Sequence, residues 1–153
     1  MLFAGLAALL VLLVLPGAVS AASSDTVVVS GDIGGYIDVA VTSESLSLGT
    51  MVVGTPATAS TTLTVSSSYA TWGVDASDAT NGGYMKNGAV ALTNLFQINN
   101  GGAYDDLATP FTDFFTGSAG VGQTKPVNVQ QSITAADASG TYSITVTFTG
   151  SSG

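Results

Sequence analysis

The sequence predicts an all-β protein, an antiparallel two-sheet sandwich behind an N-terminal signal helix. Apolar residues alternate with polar ones at spacing two in several short runs, and clusters of Gly, Pro and Asn separate those runs. Beyond the first apolar block, no window carries a convincing helical period.

That first block is a fourteen-residue apolar stretch, residues 2–15, closed by Pro16-Gly17 and the small residues Ala18-Val19-Ser20-Ala21-Ala22. The pattern predicts a secretory signal over residues 1–21, with the mature chain starting at Ala22 or Ser23. Signals usually carry Lys or Arg ahead of the apolar core, and here only the α-amino group of Met1 is positive. The alternative is a retained anchor, but a helix of this length rises only about 21 Å, short of a hydrocarbon core of about 30 Å. Residues 147–153 offer neither an apolar tail nor a sorting motif, so no C-terminal anchor is expected. Residues 22–153 are expected to form one secreted domain, long enough for a single core.

Composition narrows the partners. Two cationic side chains, Lys86 and Lys125, face ten carboxylates, for a net charge of -8. Nucleic acid and anionic membrane surfaces are therefore disfavoured, because both need Lys or Arg to neutralise phosphate. Charged residues are only 8% of the chain, so the surface must be built mainly from Ser, Thr, Asn and Gly. With no Cys, the fold has to rest on apolar burial and sheet hydrogen bonds rather than on disulfides.

The first predicted strand covers residues 26–33 around Val27-Val28-Val29, with Gly31-Asp32 ending or bending it. Residues 36–42 alternate strictly, with Ile37, Val39 and Val41 on one face. Leu46 and Leu48 predict a short strand, followed by turns at Gly49-Thr50 and Gly54-Thr55-Pro56. Residues 58–66 place Leu63 and Val65 inward among Thr residues, and residues 70–76 do the same with Trp72, Val74 and Ala76. β-Branched Thr and Val fit a pleated surface, so a Thr-rich run can be strongly β. Between Asp78 and Pro126 the pattern loosens. Residues 89–98 predict a strand or two, and residues 105–115, with Leu107, Phe111, Phe114 and Phe115, read as a short strand or a helical turn. Val127 and Val129 lead to the last predicted strand, residues 142–149, with Tyr142, Ile144, Val146 and Phe148 on its core face. Seven to nine short strands of this kind fit an immunoglobulin-like topology, with a jelly roll as the alternative.

Leu46-Ser47-Leu48-Gly49-Thr50-Met51-Val52-Val53-Gly54 and the close Gly140-Thr141-Tyr142-Ser143-Ile144-Thr145-Val146-Thr147-Phe148 resemble secreted prokaryotic and archaeal immunoglobulin-like surface domains of the spore-coat-U-like and WxL-like group. Trp72-Gly73-Val74 and Gly83-Tyr84-Met85 extend the resemblance over most of the mature chain. It implies a β-sandwich at the cell surface with a structural, filament or adhesive role. Its motifs are turn and core positions: Gly49, Gly54 and Gly140 for tight turns, and Tyr142 for a ring in the core with its hydroxyl on nearby backbone. The WxL wall-binding motifs are absent, so peptidoglycan binding is not implied.

Lacking His and Cys, the chain has no Ser-His-Asp triad, no thiol nucleophile and no His- or Cys-ligated zinc site. A carboxylate pair could still hydrolyse glycosides, but nothing in the sequence holds an acid in an apolar pocket, and no catalytic residue or cofactor is assigned. Asp75, Asp78, Asp105 and Asp106, with Asn81, are the candidate calcium ligands, being hard oxygens on loops. Asp and Asn also populate turns without metal, and that reading is preferred. Tyr84 and Tyr104, beside Gly-rich turns, are the candidate glycan platforms, set against a plainer role covering loops. Residues 26–33 could add to a neighbour's sheet edge, as donor-strand filaments do, or pair within their own sandwich. The expected partners are other surface proteins, glycans or further copies of the chain.

Overall fold

A computed structural model describes residues 27–32 and 34–153. The predicted signal lies outside the described residues, as do Thr26 and Ile33 at the ends of the first predicted strand. The chain divides into two units, Met1–Asp32 and Ile33–Gly153. In the first, residues 27–32 form no strand, and Val27, Val28 and Val29 are 86%, 91% and 89% exposed. The expected strand is therefore not formed there: β-propensity expresses fit to a neighbouring strand, and these valines join none.

The second unit is all-β, and no helix occurs among the described residues. Its strands are β1 (Ile37–Val41), β2 (Ala57–Ser67), β3 (Trp72–Ser77), β4 (Lys86–Asn87), β5 (Val90–Ala91), β6 (Gln97–Asn99), β7 (Asp105–Asp106), β8 (Phe111–Gly117), β9 (Gly120–Gln131) and β10 (Thr147–Ser152). They form a five-stranded sheet in the order β1-β2-β9-β6-β7, a three-stranded sheet β10-β3-β8 and the hairpin β4-β5. Every pairing is antiparallel.

The spine is the long pairing of β2 with β9, running from Ala57↔Gln131 to Ser67↔Gly120. Leu63 and Val65 of β2 and Val127 and Val129 of β9 point inward, as period-two alternation requires. Pro126 is tolerated in β9 because β6 pairs only with Asn128, Val129 and Gln130, leaving β9 with β2 alone at the proline. In the smaller sheet Trp72, Val74 and Ala76 of β3 are buried. Trp72 packs edge-on against Phe115 at 5.0 Å, and its indole N–H donates to the Ser118 carbonyl at 2.8 Å. Side chains of both sheets join one apolar cluster, with Met85, Leu92, Phe96 and Leu107 from the connecting segments.

Of the predicted core, Leu63, Val65, Trp72 and Val74 are buried, while Ile37, Val39, Val41, Tyr142, Ile144, Val146 and Phe148 are partly buried against the cluster. Two further predicted strands are corrected. Leu46 and Leu48 belong to no ladder, although Leu48 packs on the core, and only Val52 and Thr55 make an isolated bridge further on. Gly49 and Gly54, at φ 67° and 81°, turn the chain before pairing can propagate. The last ladder begins at Thr147 rather than at Tyr142. Its partner β3 ends at Ser77, opposite Thr147, so residues 142–146 have no strand to follow. They keep the predicted alternation, with Tyr142, Ile144 and Val146 inward, and touch the β4-β5 hairpin through the single bridge Ser143↔Lys86.

Candidate functional site

The four aspartates named as candidate calcium ligands, against the preferred reading as turn residues, take different partners. The carboxylate of Asp78, just after β3, accepts N–H groups of Thr80, Asn81 and Gly83 at 2.9 to 3.1 Å. Burial, the largest single influence, pushes its pKa up, but the N–H groups of Gly83, Thr80 and Asn81 and the Thr80 hydroxyl together hold it below the usual 3.8. Asp75 in β3 accepts the Asp113 N–H at 2.8 Å. Asp113 sits at φ 54° within a register shift of the β3-β8 pairing, so Asp75 fastens a bulge. Asp105 and Asp106 form the exposed β7, and Asp106 accepts from Gln97 Nε2 at 2.9 Å. Among the described residues no three His, Cys, Asp or Glu side chains gather to hold a metal ion.

The Asp78 turn also sets Tyr84. Gly83 donates to Asp78, and its carbonyl accepts the Phe96 N–H at 2.7 Å. At φ 83°, a Cβ on Gly83 would meet the Ala108 nitrogen at 2.5 Å, so only glycine lets the two segments cross this closely. Tyr84 emerges from that crossing, half-buried, into a pocket of about 370 Å³ lined also by Thr93, Asn94, Gln97, Asp106 and Ser132. Tyr104 does not line it. One glycan candidate and one calcium candidate thus share a polar pocket with residues that the sequence did not single out.

The pocket wall is tied by amide side chains. Gln130 Nε2 donates to Gln97 Oε1 at 3.1 Å, and Gln97 passes its own Nε2 to Asp106 Oδ1. Gln131, 1% exposed, donates to the carbonyls of Asn94 and Ser132 at 3.1 and 2.8 Å, while its Oε1 is buried with no partner among the described residues. Asn94 Nδ2 donates to the same Ser132 carbonyl. Asp137 locks the flanking loops by accepting from the N–H and hydroxyl of both Thr93 and Thr134. The Thr134 N–H lowers its pKa most, burial opposes, and the Thr93 hydroxyl, the Thr93 N–H and the Thr134 hydroxyl bring it further below 3.8.

A second opening, of about 310 Å³, lies between residues 43–48 and 142–148. Met85, Ile98, Val129, Ile144 and Val146 give it an apolar floor, and Ser43, Ser45 and Ser143 lie at its polar parts. Neither residues 44–48 nor residues 144–146 belong to a ladder.

No family model matches the chain, and no curated protein matches its sequence.

Proposed function

We propose that the chain is a secreted, non-catalytic, immunoglobulin-like β-sandwich with a structural or adhesive role at the cell surface. The observation that carries this reading is the division of labour among side chains: apolar residues of two sheets fill one cluster, while Asp78 and Asp137 hold loops and Asp75 pins a bulge. Among the described residues the two carboxylates with displaced pKa values, Asp78 and Asp137, are both held low by N–H donors, whereas a general acid needs its pKa raised. The Tyr142 hydroxyl donates to the Ala138 carbonyl at 2.9 Å, four residues upstream, with its ring on the core. That corner supports the immunoglobulin-like assignment. Surface biotinylation of intact producing cells tests the reading through Lys86 and Lys125. Labelled chain on intact cells is expected, and chain labelled only after lysis would overturn it.

A second reading, a filament subunit joined by an exchanged N-terminal strand, is supported by the unpaired, exposed Val27-Val28-Val29 and by the apolar opening beside residues 142–148. An added strand would give residues 144–146 the hydrogen-bonding neighbour that β3 does not supply.

A further inference from the structure

From the pocket around Tyr84 we infer a binding site for a neutral sugar unit, with Tyr84 as the stacking face and Gln97, Asp106 and Asn94 as the hydroxyl readers. The inference goes beyond the structural role above, since such a pocket would work on a lone domain or within a filament.

Size comes first. A volume of about 370 Å³ lies within the range in which small ligands are held. Chemistry then selects the class. Neither Lys86 nor Lys125 lines the pocket and the chain carries a net charge of -8, so an anionic ligand would meet no counter-charge and an opposing field. Apart from the Tyr84 ring and Leu95, the lining is amide, hydroxyl and carboxylate, which an apolar ligand would desolvate without return. One carboxylate falls far short of the six to eight oxygens that calcium takes. A pyranose fits what is left, with a C–H face for an aromatic ring and a rim of hydroxyls that both donate and accept.

The polar groups are also pre-oriented. Because Gln130 fixes Gln97 Oε1 and Asp106 fixes Gln97 Nε2, that amide cannot flip without breaking two hydrogen bonds. Among the described residues Asp106 Oδ2 and Asn94 Oδ1, both on lining residues, have no donor. Acceptors in excess are what a ring of donating hydroxyls satisfies. Ordering them in advance removes part of the cost of binding. Gly83, crossing the backbone of Leu107 and Ala108, keeps Tyr84 beside Asp106.

The test is an NMR titration of the mature chain with the methyl glycosides of glucose, galactose, mannose and N-acetylglucosamine, with choline and inorganic phosphate as charged probes. At least one sugar is expected to give saturable shifts confined to residues 84, 93–97, 106 and 132. Asp106→Asn, which keeps the side-chain shape, should weaken that sugar by about tenfold, the size of a lost charge-assisted hydrogen bond. Tyr84→Ala should abolish saturation. If Tyr84→Ala unfolds, Asp106→Asn alone decides. Linear shifts with all four sugars, saturation unchanged in Asp106→Asn, or saturation of these residues only by choline or phosphate would each overturn the inference.

Discussion

Asp113 holds a backbone conformation, φ 54°, that L-residues adopt reluctantly and that Asn, Asp and Gly tolerate best. Its N–H is fixed by Asp75, so the bulge in β8 depends on one aspartate to permit the turn and another to pin it. Asp113→Gly should therefore be neutral or stabilising, Asp113→Val should cost about 1–2 kcal/mol, and Asp75→Ala about 1 kcal/mol. Urea denaturation of the three variants measures this, and a tolerated Asp113→Val would contradict the account. Asp137 makes a pH-dependent contribution of known sign. Its folded-state pKa lies below 3.8, so its stabilisation is complete above the unfolded value and disappears as pH falls through the folded one. The melting-temperature gap between wild type and Asp137→Asn should be widest near neutrality and close at strongly acidic pH. A gap that widens with acid would reverse the sign.

At the scale of elements, the contact between the two sheets at their β1 and β10 edges hangs on a missing side chain. A Cβ on Gly150 would meet Ile37 Cδ1 at 2.8 Å and Val39 Cγ2 at 2.9 Å. Gly150→Val should displace the Ile37 and Val39 side chains, loosen β10 against β1 and destabilise by about 1–3 kcal/mol, the cost of overpacking, whereas the same change at Gly122, with open space around it and φ 66° at the irregular start of β9, would strain only its own backbone. Thermal denaturation and protection of β1 amides from exchange report the difference. Such edge contacts were not legible in the sequence, but the alternation beneath them was. Ile37, Val39 and Val41, Leu63 and Val65, and Trp72 and Val74 face inward as their spacing demands. Residues 142–146 show the limit: side-chain period predicted their burial, while membership of a ladder depends on where a distant partner ends. The phenylalanines of β8 show another. The bulge at Asp113 rephases the strand, and Phe111, Phe114 and Phe115 then fall at i, i+3 and i+4, imitating a helical turn. The polar pocket was the least legible feature. Tyr84, Gln97, Asp106 and Ser132 come from four segments, and only the pairing of β6 with both β7 and β9 brings Gln97 to Asp106 and Gln130.

For the molecule as a whole, the open question is what satisfies surfaces that a single copy leaves exposed. Val27-Val28-Val29 is an apolar run with strong β-propensity and no ladder of its own, and the second unit has an apolar opening bordered by unladdered backbone. If copies exchange strands there, a chain comprising residues 22–153 should form higher-order species on sizing, and one beginning at residue 33 should stay monomeric. Electrostatics adds a second signature. Each copy carries a net charge of -8, so association at low salt works against mutual repulsion. At an ionic strength of about 0.15 M the screening length falls to about 8 Å, and assembly should strengthen as salt rises. A Val28→Asp variant separates strand exchange from salt-driven clustering, because a carboxylate within the apolar run should abolish assembly at every ionic strength. Identical sizing profiles for the mature chain, the shortened chain and Val28→Asp would leave the filament reading without support.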